Sequence, residues 1–357
     1  MSVRYNKQGF VFSSSMEVEL LVLTDLTYDE LENFVKSQGL ERYRADQIAD
    51  WIYDKYVFNF EDMTNLSKQT RNKLAKIAKI IDLSPIERKV SKLDGTTKYL
   101  WILEDGNTVE SVYIIHLNRN TACLSTQVGC PVGCPFCATG QSGFIRNLKT
   151  SEIVGQLLFM EKLHGEKVNN VVLMGMGEPA FNADNVFRVL EILTHPKLRN
   201  IGARRITVST AGVPEFIEAL GKKFPQVRLS VSLHAPNDEK RDILVPLNRK
   251  YPIALVIQAL KRYIEDTGKR VTLEYVLIND LNDSPDDARE LYNLLKGLKV
   301  HVNLIPLNPA VEGYKRPLHE KVTGFARYLE ARGVKVTIRI EKGQDIDGAC
   351  GQLRMRR

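Results

Sequence analysis

The segment Gln127–Gly140 reads QVGCPVGCPFCATG and carries Cys130, Cys134 and Cys137. The glycines and prolines between the thiols favour sharp turns, so a short loop can direct all three side chains inward. Three thiolates suit three irons of a cubane iron–sulfur cluster, and the missing fourth ligand leaves one iron open to a small molecule. The spacing therefore predicts a [4Fe–4S] cluster with one open coordination position.

A cluster with an open iron resembles the layout of a radical S-adenosylmethionine (SAM) enzyme. Structural zinc and a set of inert buried thiols are the alternative interpretations. Zinc normally takes a second pair of Cys or His ligands at a distance, and the only candidate close in sequence is Cys123, seven residues upstream of Cys130. The fifth cysteine, Cys350, lies near the C-terminus. An odd cysteine count, with no secretory leader expected, predicts a reducing, cytoplasmic compartment.

Composition favours a protein with a large buried core and no membrane association. The 357 residues are 43% hydrophobic and 26% charged, and no apolar stretch reaches membrane-spanning length. The formal net charge is +7 and the pI is about 9.0. This surplus favours a polyanionic partner such as nucleic acid, although basic proteins that bind no nucleic acid carry similar charge.

The N-terminal part of the chain predicts a small helical domain. Residues 1–20 show neither a helical nor a strand period and are interpreted as a poorly ordered extension. Residues 21–85 carry three helical patterns, the first opened by a capping box between Thr27 and Glu30. The third pattern, residues 67–80, is rich in lysine, which is typical of a solvated face and is also consistent with an RNA-contacting surface.

The remaining residues predict an α/β core. Residues 86–115 alternate with period two around a turn at Asp105–Asn107, which indicates a β-hairpin connector. Residues 116–357 alternate strands with helices, which predicts parallel strands with right-handed crossovers and a partial (βα)6 barrel. Strands are predicted near residues 169–175, 204–209, 227–233, 271–277, 300–305 and 335–340. Helices are predicted near residues 150–164, 183–194, 213–222, 253–266, 284–297 and 317–332. The helix near 284–297 is the best marked, since Ser284 can cap it, Pro285 fits its first turn and Asp287 can close a capping box.

Candidate binding motifs follow the predicted strands, where the chemistry of parallel barrels is found. The segment Met174–Pro179 reads MGMGEP, and its glycines allow the backbone to approach a ligand closely. Such a turn alone is weak evidence, but its place one strand after the cysteine loop favours a contact with the amino group of SAM. Ser209 and the segment Ser232–His234 (SLH) end the next two strands. His234 by itself is more often a structural histidine.

Several further segments extend this pattern along the chain. They are VESV at residues 109–112, CLSTQVGC at 123–130, RRITVST at 204–210, SLHAP at 232–236, NLIPLNP at 303–309 and DIDGACGQL at 345–353. Together with the cysteine loop they resemble the RlmN family of RNA methyltransferases over about residues 25–353. These radical SAM enzymes methylate carbon 2 of adenosine in 23S rRNA, at the peptidyl transferase centre, and in tRNA, 3′ of the anticodon. Gly348 departs from the alanine usual in that family.

The resemblance implies a role for each matching residue. Cys350 accepts a methyl group from a first SAM, and a second SAM yields the radical that removes hydrogen from that methyl before it adds to adenine. Glu110 takes the proton from carbon 2, and Cys123 releases the product through a transient disulfide with Cys350. Cys130, Cys134 and Cys137 hold the cluster. The implied SAM contacts are Gly177, Glu178, Ser209, Ser232, Leu233, His234 and Asn308.

The resemblance also implies partners, and three alternatives stay open. The partners are 23S rRNA, tRNA and an electron donor such as flavodoxin or ferredoxin, with the protein acting as a monomer. A Cfr-type enzyme, which modifies carbon 8, is less similar at Val128, Ala235 and Pro306. A non-catalytic iron–sulfur RNA-binding protein does not explain why Cys123 and Cys350 both occur. Without the family resemblance, Glu110 would be interpreted as an exposed carboxylate on a strand.

Overall fold

The computed structural model describes residues 20–116 and 119–354. Apart from Leu20, the extension predicted over residues 1–20 lies outside these ranges. The N-terminal part comprises β1 (Leu21–Val22), α1 (Tyr28–Ser37), α2 (Tyr43–Tyr53), α3 (Lys68–Ala75) and β2 (Ala78–Lys79).

The predicted capping box at the first helix is confirmed. The Thr27 backbone N–H donates to Glu30 Oε2 at 2.9 Å, and the Thr27 hydroxyl accepts from the Glu30 N–H. The third helix is shorter than the predicted pattern, which continued to residue 80. It ends at Ala75 because the following residues leave the helix and pair β2 with β1 in parallel.

The rest of the described chain alternates strands and helices. Its elements are β3 (Leu83–Val90), β4 (Thr97–Leu103), β5 (Thr108–His116), β6 (Arg119–Cys123), β7 (Gln127–Gly129), α4 (Ala138–Gln141), β8 (Phe144–Asn147), α5 (Thr150–His164), β9 (Asn170–Leu173), α6 (Ala183–Thr194), β10 (Ile206–Thr210), α7 (Pro214–Lys223), β11 (Arg228–Ser232), α8 (Asp238–Leu244), α9 (Ile253–Thr267), β12 (Val271–Leu277), α10 (Pro285–Leu295), β13 (Val300–Pro306), α11 (His319–Glu330) and β14 (Lys335–Ile338).

Ten of these strands form one sheet in the order β14-β13-β12-β11-β10-β9-β6-β5-β4-β3. Strands β6 and β9 to β14 pair in parallel, as the predicted partial barrel requires. The predicted hairpin corresponds to β4 and β5, and β3 to β6 continue the barrel sheet as an antiparallel meander. The sequence analysis missed β6, whose residues RNTAC lack the apolar run of the other parallel strands.

The helices cover the sheet and share its core. One buried apolar cluster runs from Leu31 and Ile48 in the N-terminal helices to the barrel strands. The predicted cap of α10 is confirmed, since Ser284 Oγ accepts from the Asp287 N–H at 3.1 Å. Among the described residues, no helix is both long and apolar enough to span a membrane.

Candidate active site

All five cysteines line a single cavity of about 620 Å³, which extends along the parallel strands from their first residues, such as Asn170 and Arg228, to the segments that follow their C-terminal ends. Most of the predicted SAM contacts line the same cavity, namely Gly177, Glu178, Ser209, Ser232, His234 and Asn308. Two other residues that the sequence analysis singled out, Leu233 and Glu110, do not line the cavity. The Leu233 side chain is buried in the apolar core, and Glu110 is fully buried. The fold thus brings together most residues that the sequence marked separately.

The cysteine loop is compact because glycines allow its backbone segments to approach one another. Gly129 has a φ of +77°, and a Cβ there would lie 1.9 Å from the Gly143 carbonyl oxygen. A Cβ on Gly140 would lie 2.7 Å from the Cys134 carbonyl oxygen. The Cys130 N–H donates to the Gly143 carbonyl at 2.8 Å. Any side chain at Gly129 or Gly140 would therefore push the cysteine loop open.

The three thiols of the loop lie in an apolar environment. They pack against a buried cluster that includes Val132 and Phe136. Burial raises the pKa of Cys130 to about 12, and it also raises the pKa of Cys134 and of Cys137. Bare thiolates are therefore unfavourable here unless a positive charge, such as the iron of a cluster, stabilises them.

The donor set fits a cubane cluster. In the two described ranges, no group of three or more His, Cys, Asp or Glu side chains is placed to hold one metal ion. A cubane provides a separate iron for each thiolate. Three cysteines from one loop, packed in an apolar pocket beside a cavity, match that requirement.

The MGMGEP turn fixes a carboxylate at the cavity wall. Gly177 has a φ of +105°, and a Cβ there would lie 2.6 Å from Gln127 Cβ. The Glu178 side chain accepts the Ala180 N–H at 3.0 Å and the Ala211 N–H at 2.6 Å. Burial raises the pKa of Glu178, while these backbone donors lower it. The turn thus presents an oriented carboxylate that can accept a hydrogen bond from a cationic amino group.

His234 is held in one tautomer at the end of β11. Its φ of +59° is unusual for a residue other than glycine. Its Nδ1 accepts the Val276 N–H at 3.1 Å, so the proton of the neutral ring resides on Nε2. Burial, with a smaller effect of Arg241, lowers the pKa of His234 to about 3. The residue is therefore a neutral donor in the cavity wall.

Arg241 supports the strand ends from behind and was not identified from the sequence. Its fully buried guanidinium donates to the carbonyls of Leu233 at 3.0 Å and Ser232 at 3.2 Å, and to that of Ala211. Burial lowers the pKa of Arg241 to about 10. In the sequence, Arg241 belongs to the charged run DEKR, which is typical of a solvated helix face. The local sequence pattern therefore does not predict that Arg241 is buried.

The C-terminal segment brings Cys350 to the cysteine loop. The Ala138 N–H donates to the Gly351 carbonyl at 2.8 Å, and Thr139 Oγ1 donates to the Leu353 carbonyl at 2.5 Å. Cys123, at the end of β6, is a buried free thiol, and Cys350 is also free. Burial, followed by the nearby Cys350, raises the pKa of Cys123 to about 12.

A cation that the sequence analysis did not single out faces this pair of thiols. Arg339 follows β14 and lines the cavity together with Cys123 and Cys350. The pKa of Arg339 is raised mainly by Cys350, with Glu274 and Cys123 contributing. The positive charge of Arg339 acts to lower the pKa of Cys123 and so favours its thiolate, the form that nucleophilic sulfur chemistry needs.

Glu110 is buried and ion-paired, so the interpretation as an exposed strand carboxylate is wrong. Its exposed fraction is 0%. Its Oε1 lies 3.3 Å from Lys98 Nζ, and its Oε2 accepts the Arg354 N–H at 3.1 Å. A carboxylate buried at this depth requires such partners.

Comparisons with known proteins match this chain over nearly its whole length. A family model for the ribosomal RNA large subunit methyltransferase N-terminal domain matches residues 21–80, and one for the radical SAM superfamily matches residues 124–295. The chain is 58% identical to a probable dual-specificity RNA methyltransferase RlmN of Thermotoga neapolitana, covering 94% of this chain and 98% of that protein. The corresponding Thermotoga maritima protein is 55% identical with the same coverage.

A solved structure is similar over the same extent. It is a radical SAM methyltransferase from Sphaerobacter thermophilus, with a TM-score of 0.90 and 46% sequence identity. The likeness covers 94% of this chain and 99% of that one.

Proposed function

The chain belongs to the RlmN family of radical SAM RNA methyltransferases, and we propose that it forms 2-methyladenosine. Its proposed substrates are 23S rRNA, at the peptidyl transferase centre, and tRNA, at the adenosine 3′ of the anticodon. The observation that carries the proposal is that Cys123 and Cys350 line the same cavity as the three-cysteine loop. A methyltransferase that passed the methyl directly from SAM to RNA would not need this second pair of thiols.

Radical SAM membership implies SAM and a [4Fe–4S] cluster. We propose that Cys130, Cys134 and Cys137 hold the cluster. When bound, SAM and the cluster would supply the methyl group and the radical that removes a hydrogen atom from it. Two SAM molecules would be used per turnover. The proposed SAM contacts are Gly177, Glu178, Ser209, Ser232, Leu233, His234 and Asn308, with Glu178 accepting from the SAM amino group. Among these residues Leu233 is the least accessible, since its side chain lies in the core, its N–H donates to the Glu274 carbonyl at 3.0 Å and its carbonyl accepts from Arg241.

In this scheme the reacting sulfur atoms belong to the chain. Cys350 accepts a methyl group and becomes S-methylcysteine. After one hydrogen atom is removed from that methyl, its carbon bonds to adenine carbon 2, and the resulting radical adduct gives up one electron. Glu110 then accepts the proton from carbon 2. The Cys123 thiolate attacks the Cys350 sulfur, so that a disulfide forms as the bond between that sulfur and the methyl carbon breaks; the electron pair of the broken bond stays on the methyl carbon, which takes up a proton to complete the product methyl group. Two electrons from the electron donor then return the disulfide to two thiols. Arg339, beside both thiols, would favour the attacking thiolate.

Charge supports RNA as the substrate. The exposed Lys68 and Lys76, within α3 and at its C-cap, belong to the region that matches the RlmN N-terminal domain. We propose that this helix contacts RNA phosphates. We also propose a cytoplasmic monomer that receives electrons from flavodoxin or ferredoxin.

The product identifies the reaction. The reconstituted protein would be incubated with SAM, a reductant, and rRNA or tRNA transcripts, and the adenosines would be analysed by mass spectrometry. We expect 2-methyladenosine in both RNAs. The 8-methyl isomer would instead indicate Cfr-type chemistry, and unmodified adenosine would indicate a non-catalytic protein.

A further inference from the structure

Lys98 is a buried lysine with two acceptors that belong to the proposed chemistry. Its side chain is 3% exposed. The Nζ atom lies 3.3 Å from Glu110 Oε1 and donates to the Asp347 carbonyl at 3.1 Å. A lysine is seldom buried to this extent unless its charge is paired. Its surroundings therefore suggest a specific role.

The pairing follows from the strand register. In the β4–β5 pair, Leu100 lies opposite Glu110 and Lys98 lies opposite Val112. Lys98 and Glu110 are therefore diagonal neighbours on one face of the sheet, within reach of long side chains. On the next strand, Val112 lies opposite Cys123. The ion pair thus lies beside the strand that ends in the second proposed thiol.

The pair contacts the Cys350 segment on both sides of the cysteine. Lys98 binds the carbonyl of Asp347, three residues before Cys350. Glu110 accepts the N–H of Arg354, four residues after it. A shift of the Glu110 carboxylate would therefore be coupled to a shift of the segment that carries Cys350.

We propose that Lys98 is a positioning residue for release of the methylated product. Its ammonium joins the Glu110 carboxylate to the loop that carries Cys350. Glu110 does not line the cavity, so it reaches the RNA adduct only if this part of the protein rearranges. Because Lys98 binds both Glu110 and the Cys350 loop, the loop then moves together with Glu110. The inference rests on the proposed function, in which Glu110 is the proton acceptor and Cys350 the methyl carrier.

The test separates the early steps of the reaction from release. Lys98→Met removes the charge, and Lys98→Gln removes it while keeping a donor for the Asp347 carbonyl. Both variants should methylate Cys350 and form 5′-deoxyadenosine as the unchanged protein does. They should release 2-methyladenosine about 100-fold more slowly, the usual contribution of a general base, and accumulate a protein–RNA adduct. Lys98→Arg keeps the charge and should restore most of the release.

Ser91→Ala is the matched control. Ser91 Oγ donates to Asp345 Oδ1 at 2.6 Å and anchors the same C-terminal segment, but it does not touch Glu110. It should release product at the unchanged rate. The readouts are mass spectrometry of Cys350 and of adenosines, and gel detection of the adduct.

Three results would overturn the role of Lys98. They are normal release by Lys98→Met or Lys98→Gln, an equal loss of Cys350 methylation and release, or an equal adduct in Ser91→Ala. A failure of the proposed function itself is distinguishable, because the unchanged protein would then form no 2-methyladenosine in either RNA.

Discussion

At the scale of single residues, the two thiols outside the cysteine loop carry the chemical argument. Cys123 ends a strand and Cys350 lies on a C-terminal loop, yet both line one cavity. Burial raises the pKa of Cys123 to about 12. Burial therefore favours the neutral thiol of Cys123, and the Arg339 charge acts in the opposite direction, towards the thiolate.

The two thiols should fail differently when replaced. Cys123→Ala should still permit methylation of Cys350 and attachment to adenine, because those steps do not use Cys123, and should leave RNA bound to the enzyme. Cys350→Ala should stop before any adduct forms, because the methyl carrier is absent. Denaturing gels with nuclease treatment and mass spectrometry would distinguish the two. Normal turnover by Cys123→Ala would mean that Cys123 is only a buried thiol.

At the scale of elements, α3 is a short basic helix with a single buried residue, Leu74. Its N-cap Ser67 accepts the Thr70 N–H at 3.1 Å, so the helix does not depend on Lys68 or Lys76 for its start. These lysines can be changed without disturbing the core. The helix is therefore a suitable place to test the proposed RNA contact.

The double variant Lys68→Gln, Lys76→Gln should bind RNA more weakly. For each phosphate that the variant no longer neutralises, the slope of log affinity against log salt should become shallower by about one. Reductive cleavage of SAM should not change, because the cavity is formed by other elements. The matched control is Lys261→Gln, Lys296→Gln, which removes the same charge from exposed positions on α9 and after α10. Equal salt slopes for both double variants would argue against α3 as the RNA surface.

At the scale of the whole molecule, the N-terminal helices and the barrel share one buried apolar cluster. The shared core is reinforced by the Arg188–Glu30 ion pair and by the Ser151 N–H, which donates to Asp25 at 2.6 Å. Removing residues 21–85 would expose that core. The helical segment is therefore better tested by substitution than by deletion.

Ile48→Ala should destabilise the entire described fold. Ile48 is fully buried in α2, and truncating such a residue costs about 3 kcal/mol. Calorimetry should show a single transition at lower temperature, because the core is continuous. Leu255→Ala, at an exposed position on α9, should cost less than about 1 kcal/mol. Two separate transitions, of which only one moves in Ile48→Ala, would contradict a shared core.

The sequence alone was sufficient where the deciding interactions are local. The turns of the cysteine loop, the capping boxes at Thr27 and Ser284, and the alternation of strands and helices depend on residues a few positions apart. Ordered motifs likewise identified most of the residues that line the cavity. Each of these features can be read from short segments because backbone conformation and capping act over short distances.

Only the tertiary structure decided which side chains are buried and which charges meet. Strand β5 is buried on both faces from Val109 to Tyr113, so its sequence pattern does not reveal that Glu110 is inaccessible. The ion-pair partner of Glu110 is Lys98 on β4, and Arg241 donates hydrogen bonds to the carbonyls of Leu233 and Ala211, outside its own helix. Burial and ion pairing depend on contacts between segments distant in the chain, and the environment of a charged side chain follows from those contacts rather than from its neighbours in sequence.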